Sequence, residues 1–321
     1  MEQMTSSLSV APTWLWVSFS IAIVILLFID LSLFGKGDQT ISRKKALIES
    51  GLWITIALIF NVWFAFQYGQ ELGVEFLTGY LVEKSLSVDN LFVILLIFGA
   101  FKIPSQYQHR VLFYGVLGAV VLRALFIILG AQLLHMFHWI LYVFGAILVF
   151  TAVKLIRDSD SHMDVQENWS LRLLKKLMPT TTSFNGNHFF LIENGVRKAT
   201  PLFLALIVIE VTDLIFAVDS IPAVFAVTQD AFVAFASNIL AILGLRALYF
   251  VLADWVGTLR YLKPGLAAIL GFIGVKMLLI DFYKIPSWVS LLVIFSILTT
   301  AALSSWYVMK IEEKKGTDLL K

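Results

Sequence analysis

The chain has no cysteine in its 321 residues. Disulfides, thiol redox catalysis and thiolate metal sites are excluded, and soft-metal chemistry goes with them. Charge is also scarce: Asp, Glu, Lys and Arg make up 14% of the chain, against about 25% in an ordinary soluble domain. Hydrophobic residues fill the difference at 59%, where roughly 45–50% is usual, and mean hydropathy is +0.87. This predicts an integral membrane protein embedded in the lipid bilayer. No basic cluster is dense enough to suggest nucleic acid. The net charge of +2 matters less than which loops hold the Lys and Arg. Histidine is limited to five residues, none expected as a haem ligand inside a span, which argues with the missing thiols against intrinsic redox chemistry.

Long apolar runs bounded by Gly, Pro or charge fall at about 13–34, 47–68, 75–101, 110–133, 138–157, 201–227, 232–256, 265–284 and 287–309. Each is long enough to cross a bilayer as a helix, giving an all-α polytopic membrane protein of about nine transmembrane helices in a single membrane domain, 1–321. The first run follows "MEQMTSSLSVAP", which lacks a basic n-region, and is too long for a signal-peptide core, so it is expected as a retained helix. Alternate loops hold the cations: Lys36, Arg43, Lys44 and Lys45, then Lys102 and Arg110, then Arg157 to Lys198, then Arg260 and Lys263, then Lys310 onward. The loops between are nearly bare, so the positive-inside rule places the N-terminus outside and the C-terminus in the cytoplasm.

The one long loop, about 158–200, is expected to be polar and cytoplasmic. It contains "WSLRLLKKLMP", which suits a helix lying on the membrane interface or a linker helix between two halves.

The chain repeats itself. "EKSLSVDNLFVIL" (83–95) aligns with "DLIFAVDSIPAVF" (213–225), pairing Glu83 with Asp213, Asp89 with Asp219 and Asn90 with Ser220. "VLRALFIIL" (121–129) aligns with "GLRALYFVL" (244–252), pairing Arg123 with Arg246. "FTAVKLI" (150–156) aligns with "FIGVKML" (272–278), pairing Lys154 with Lys276. Repeat one covers about 75–157 and repeat two about 201–284, three helices each. An odd unit used twice must sit in opposite orientations, an inverted repeat typical of secondary transporters and, less often, channels.

Glu83, Asp89, Glu210, Asp213 and Asp219 fall within the expected spans, and Asp30 lies near the inner end of the first. At about 2.5–3.5 kcal/mol for each charge at the bilayer centre, five facing lipid would cost roughly 12–18 kcal/mol, as much as a whole domain's stability. They must face inward, toward Arg123, Arg246, Lys84, Lys154 and Lys276 as charge balance or gate, or toward a cation. A purely structural ion-pair network is the competing account, and Lys84 and Lys154 could simply snorkel or pair locally.

Glu210 and Asp213, three apart, share a helix face and suit one cation together. Pro222 is expected to break its helix and free the Val218 carbonyl, presenting an unwound "AVDSIP" turn. The donor set of carboxylate, Asn90 amide and Ser220 hydroxyl consists of hard oxygens, which predicts a hard divalent cation, Mn²⁺, Mg²⁺ or Ca²⁺, as substrate rather than any permanently bound cofactor. Carboxylates must be deprotonated to ligate metal, so proton exchange requires no additional residue. His135 and His138 flank an outer loop, where interfacial solvation or an access site would explain them; His109, His162 and His188 lie outside the spans.

"GYLVEKSLSVDNLFVILLIF", "YGVLGAVVLRALF", "VIEVTDLIFAVDSIPAVFAVTQD", "SNILAILGLRALYFVLA" and "GFIGVKMLLIDFY" together resemble the TerC family, most closely its Alx-like branch of bacterial inner-membrane proteins. That resemblance implies a manganese exporter of the inner membrane and not an enzyme. It maps the family's acidic motifs onto Glu83, Asp89 and Asn90, and onto Glu210, Asp213, Asp219 and Ser220, as metal ligands. Asp30 in "FIDLSLFGK" is a further metal position, or a merely solvated helix end. The competing reading is a membrane scaffold or redox- and stress-associated component of a tellurite-resistance-type complex without transport. An intramembrane hydrolase fits worst.

Overall fold

The computed structural model describes residues 9–34, 43–137, 139–157, 178–184, 186–193, 195–252, 261–283 and 285–318; the side chains of 31–34, 43, 89, 92, 262, 309 and 311–318 lie outside that description. The helices are α1 (Thr13–Phe34), α2 (Arg43–Tyr68), α3 (Gln70–Ala100), α4 (Ser105–Met136), α5 (Ile140–Arg157), α6 (Pro201–Val227), α7 (Ala231–Leu243), α8 (Leu245–Leu252), α9 (Leu262–Leu278) and α10 (Ser287–Asp318). Each expected apolar run coincides with one helix, except the seventh, which forms α7 and α8 with a 43° bend at Gly244. Among the described residues six helices are long and apolar enough to cross a membrane, or seven if that bent pair is one span. The other two expected spans fall short on these grounds: α3 carries several charges, and α9 has 17 residues.

Local chemistry fixes the breaks. Gly69 takes φ +110° between α2 and α3, a conformation that disfavours any side chain. At the end of α3, Lys102 is left-handed at φ 52°. The Lys102 N–H donates to the Gly99 carbonyl at 3.1 Å and the Ile103 N–H to Phe98 at 2.9 Å, a Schellman closure sealed by the buried Ile103 and Phe98. Asp230 caps α7, accepting from the N–H groups of Phe232 and Val233 at 2.9 Å each. Its other oxygen takes the Val10 N–H and so ties the N-terminal segment to α7.

One expectation is corrected. α6 runs unbroken through Pro222, so no unwound turn forms at 217–222. In an apolar surround, losing one ladder bond costs less than unwinding a turn and stranding several more. Within the loop of 158–200, β1 (Phe190–Glu193) and β2 (Val196–Ala199) form an antiparallel hairpin, with Phe190 opposite Ala199. The amphipathic piece expected at 169–177 lies outside the described residues.

Helices α3 and α6 pack against each other at the centre. α4 packs on α6 and α7, and α3 on α7. α5 and α9 lie tightly together where Gly145 meets Gly274; a Cβ on Gly274 would stand 2.9 Å from the Gly145 carbonyl oxygen. α2 flanks α3 and α8, and α10 lies on α3 and α9. Apolar side chains turned outward, among them Phe28, Ile59, Phe66, Phe150 and Ile156, form the lipid-facing surface of an integral multi-pass protein.

Candidate functional site

Arg123 on α4 lies at the centre of the packed helices, fully buried. Its Nη1 donates to Glu83 Oε1 on α3 and, at 3.1 Å, to Ser220 Oγ on α6. Its Nη2 and Nε fork onto the two oxygens of Asp213 on α6, at 3.1 and 3.5 Å. Glu83, itself fully buried, takes two further donors: Asn238 Nδ2 of α7 at 2.8 Å and Ser87 Oγ at 3.3 Å. Two carboxylates thus share one guanidinium in a region of low dielectric. Such a group is held by completed hydrogen bonding and strongly penalised if one partner is removed.

A second triad follows the same plan with different partners. Arg246 on α8, the duplicate of Arg123, donates from Nη2 to Asp30 Oδ1 on α1 at 2.9 Å and to Glu49 Oε1 on α2 at 2.8 Å, all three side chains buried. The repeated arginines therefore bind different acids.

Two small cavities meet at Asn90. One, of about 40 Å³, is lined by Asn90, Thr212, Asp213 and Arg246 among apolar residues of α3, α4 and α6. The other, of about 50 Å³, is lined by Asn90, Thr151, Asp219 and Ser220. Each has room for a few water molecules or a small hydrated ion. Asp219 accepts from the Thr151 hydroxyl at 2.7 Å.

The expected ligands are distributed as follows. Glu83, Asp213 and Ser220 meet around Arg123, and Asn90, Asp219 and Ser220 line the second cavity. Asp89 lies on α3 next to Asn90, but its side chain is outside the described residues. Glu210 does not join Asp213 on a shared group: its carboxylate packs against Gly118 of α4, with no hydrogen-bond partner among the described residues, while Asp213 is taken by Arg123. Asp30 is tied to Arg246 rather than solvated. Lys84 donates to the Ala241 carbonyl at 3.0 Å and so does not snorkel. Lys154 is exposed beside Asp219, and Lys276 lies near Glu75, which also takes the Ser287 hydroxyl at 3.4 Å. Among the described residues no three His, Asp or Glu gather closely enough to hold a metal ion.

Glu49, Asn238, Thr151 and Ser87 belong to this machinery, and sequence reasoning passed over them. Glu49 had a legible signal: Ala46, Glu49, Trp53 and Ala57 form the buried stripe of α2 at helical spacing. Asn238 is the lone amide in the wholly buried α7.

Residues 68–313 match the profile of a family described as integral membrane protein TerC. The chain is 47% identical over 297 residues to an uncharacterised membrane protein, STKORF319, of Myxococcus xanthus, covering 92% of this chain and 93% of that one. It is 45% identical over 318 residues to a protein of Escherichia coli strain K12 that carries the provisional name of membrane-bound redox modulator Alx, covering 96% and 99% of the two chains. An uncharacterised membrane protein of Rickettsia bellii is 41% identical over 290 residues, 90% of this chain and 96% of that one. No solved structure matches.

Proposed function

This chain belongs to the TerC family of integral membrane proteins, and on that premise we propose that it is a secondary transporter, not an enzyme, that exports a hard divalent cation, Mn²⁺ first among them, from the cytoplasm across a bacterial inner membrane in exchange for protons. The observation that carries this reading is the Glu83–Arg123–Asp213 triad: one acid from each duplicated helix, fixed on a single guanidinium, with Asp213 lining one of the cavities that meet at Asn90 and Ser220, a further partner of Arg123, lining the other. A guanidinium on paired carboxylates occupies the place a cation would take. An arriving divalent ion displaces Arg123 and gains Glu83 and Asp213, with Ser220 and Asn90 as further hard oxygens, Asp219 lining its way in the second cavity, and Asp89 and Glu210 kept as further proposed ligands. Protons compete for the same carboxylates, which couples the two fluxes.

The architecture proposed with this function is nine spans containing an inverted repeat, α3–α5 and α6–α9, with the N-terminus outside and the C-terminus cytoplasmic. Helix packing supports it. Exchanging α3 with α6, α4 with α7, and α5 with α9 turns the α3–α7 contact into α4–α6 and returns the α3–α6, α4–α7 and α5–α9 contacts to themselves. A redox role has no thiol to work with in this chain.

The test is cation uptake into inverted membrane vesicles, comparing Mn²⁺, Mg²⁺, Ca²⁺ and Zn²⁺. Uptake of Mn²⁺ is expected, driven by an imposed proton gradient and abolished by Asp213→Asn or Asp219→Asn in protein that still inserts. Absence of flux for every cation would refute transport and favour a scaffold whose intramembrane charges bind partner subunits.

A further inference from the structure

The repeat allows a comparison that goes deeper than the transport reading on which it rests. Arg123 holds Glu83, Asp213 and Ser220. By the internal alignment, the partners of its duplicate Arg246 would be Asp213, Glu83 and Asn90. Arg246 instead bonds to Asp30 and Glu49, from two helices that lie outside the repeat. Its side chain nevertheless lines the same cavity as Asn90 and Asp213. The backbone differs in the same place: α4 continues unbroken through Val121, while at its counterpart Gly244, two residues before Arg246, the chain bends by 43°. There a Cβ would meet Lys84 Nζ and Trp53 Cβ, each at 3.0 Å.

We infer that Asp30 and Glu49 are positioning residues that latch Arg246 away from the shared acid pair, and that in the opposite-facing state α8 swings about Gly244 so that Arg246 crosses the cavity to Asp213 and Asn90 while Arg123 lets go. In an inverted-repeat transporter the two end states differ by exchange of the two repeats' conformations. The two arginines are the charged groups that this exchange trades over one pair of acids. The latch is the element without a duplicate, and its strength therefore sets which state the cation-free protein prefers.

The chain's lack of cysteine permits a direct test. Ala119, which lines the cavity, is replaced as Ala119→Cys, a change that adds one sulfur atom, and its N-ethylmaleimide labelling rate is followed on the full chain in detergent without divalent cations. Adding Asp30→Asn and Glu49→Gln removes the charge-assisted character of both latch bonds and shifts the equilibrium toward the state with Arg246 across the cavity, so labelling is expected to fall. Adding Arg246→Gln to that variant restores the parental rate. A rate that is unchanged, or that rises as it would in a loosened structure, overturns the latch. Labelling does not depend on what is carried. Vesicles that move no cation while labelling falls would refute transport and leave the exchange standing, and active vesicles with unaltered labelling would refute the exchange alone.

Discussion

At the scale of single residues, the charge count around Arg123 predicts an unequal response to neutralisation. Arg123→Gln leaves Glu83 and Asp213 facing each other in a buried site with no cation. Glu83→Gln leaves a neutral Arg123–Asp213 pair, weakens the charge-assisted bond from Arg123, and keeps the contact with Asn238 only if that amide turns over so that its Oδ1 accepts. The first is expected to cost about 3–5 kcal/mol, and the second about 1–3 kcal/mol. Because the acids are the penalty in Arg123→Gln, adding Glu83→Gln to it should recover stability rather than lose more. Thermal unfolding of the three variants in detergent checks this, and a double variant that shows the sum of the single losses would overturn the account. Glu83, Asp213 and Arg123 were legible in the sequence because each occurs at a duplicated position within an apolar run. Glu49 and Asn238 carry no such repeat signal, since neither has a charged duplicate, and Glu49 is marked only by its place in the buried stripe of α2. Glu49 also lies where a basic segment, "RKKALIES", passes into the membrane helix, a place where a charge is ordinarily solvated.

At the scale of elements, the α4–α6 contact makes Gly118 a site of control over Glu210. A Cβ at Gly118 would overlap the Glu210 carboxylate, which is half-buried and can swing aside. Gly118→Ala is therefore expected to change stability by no more than about 1 kcal/mol, since alanine also favours the helix, while displacing Glu210 and cutting cation flux into vesicles. Flux equal to that of the parent at equal expression would remove Glu210 from the pathway. Legibility at this scale was uneven, for physical reasons. The apolar runs located every helix because hydrophobicity must persist along a span whatever packs beside it. Pro222 was misread as a break because local propensity was weighed without the apolar surround, where a helix keeps every backbone bond it can. The hairpin was missed although "LIENGVRK" carries Asn194–Gly195, a strong two-residue turn signal, with Gly195 at φ +75°; the residues on either side do not alternate between apolar and polar as strand residues on a half-buried sheet would.

At the scale of the whole molecule, the number of crossings decides on which side the chain ends. Length and apolarity alone count six spans, or seven with the bent pair. What excludes α3 from that count is its charge, yet Glu83 is fully buried against Arg123, and Lys84 turns inward to the Ala241 carbonyl. Its 31 residues reach about 46 Å as a helix, more than the roughly 30 Å of hydrocarbon to be crossed. α9 reaches about 25 Å at 1.5 Å per residue, and is packed along α5 through the glycine contact, so it shares that helix's depth. Counting both gives nine, an odd number that separates the two termini across the membrane, whereas an even count would put them on one side. Protease applied to inverted vesicles should therefore remove a tag fused at the C-terminus and spare one fused at the N-terminus. Loss of both tags would mean an even count with both termini in the cytoplasm. Either α3 or α9 would then have to stop short of crossing, and the inverted repeat would fall with it.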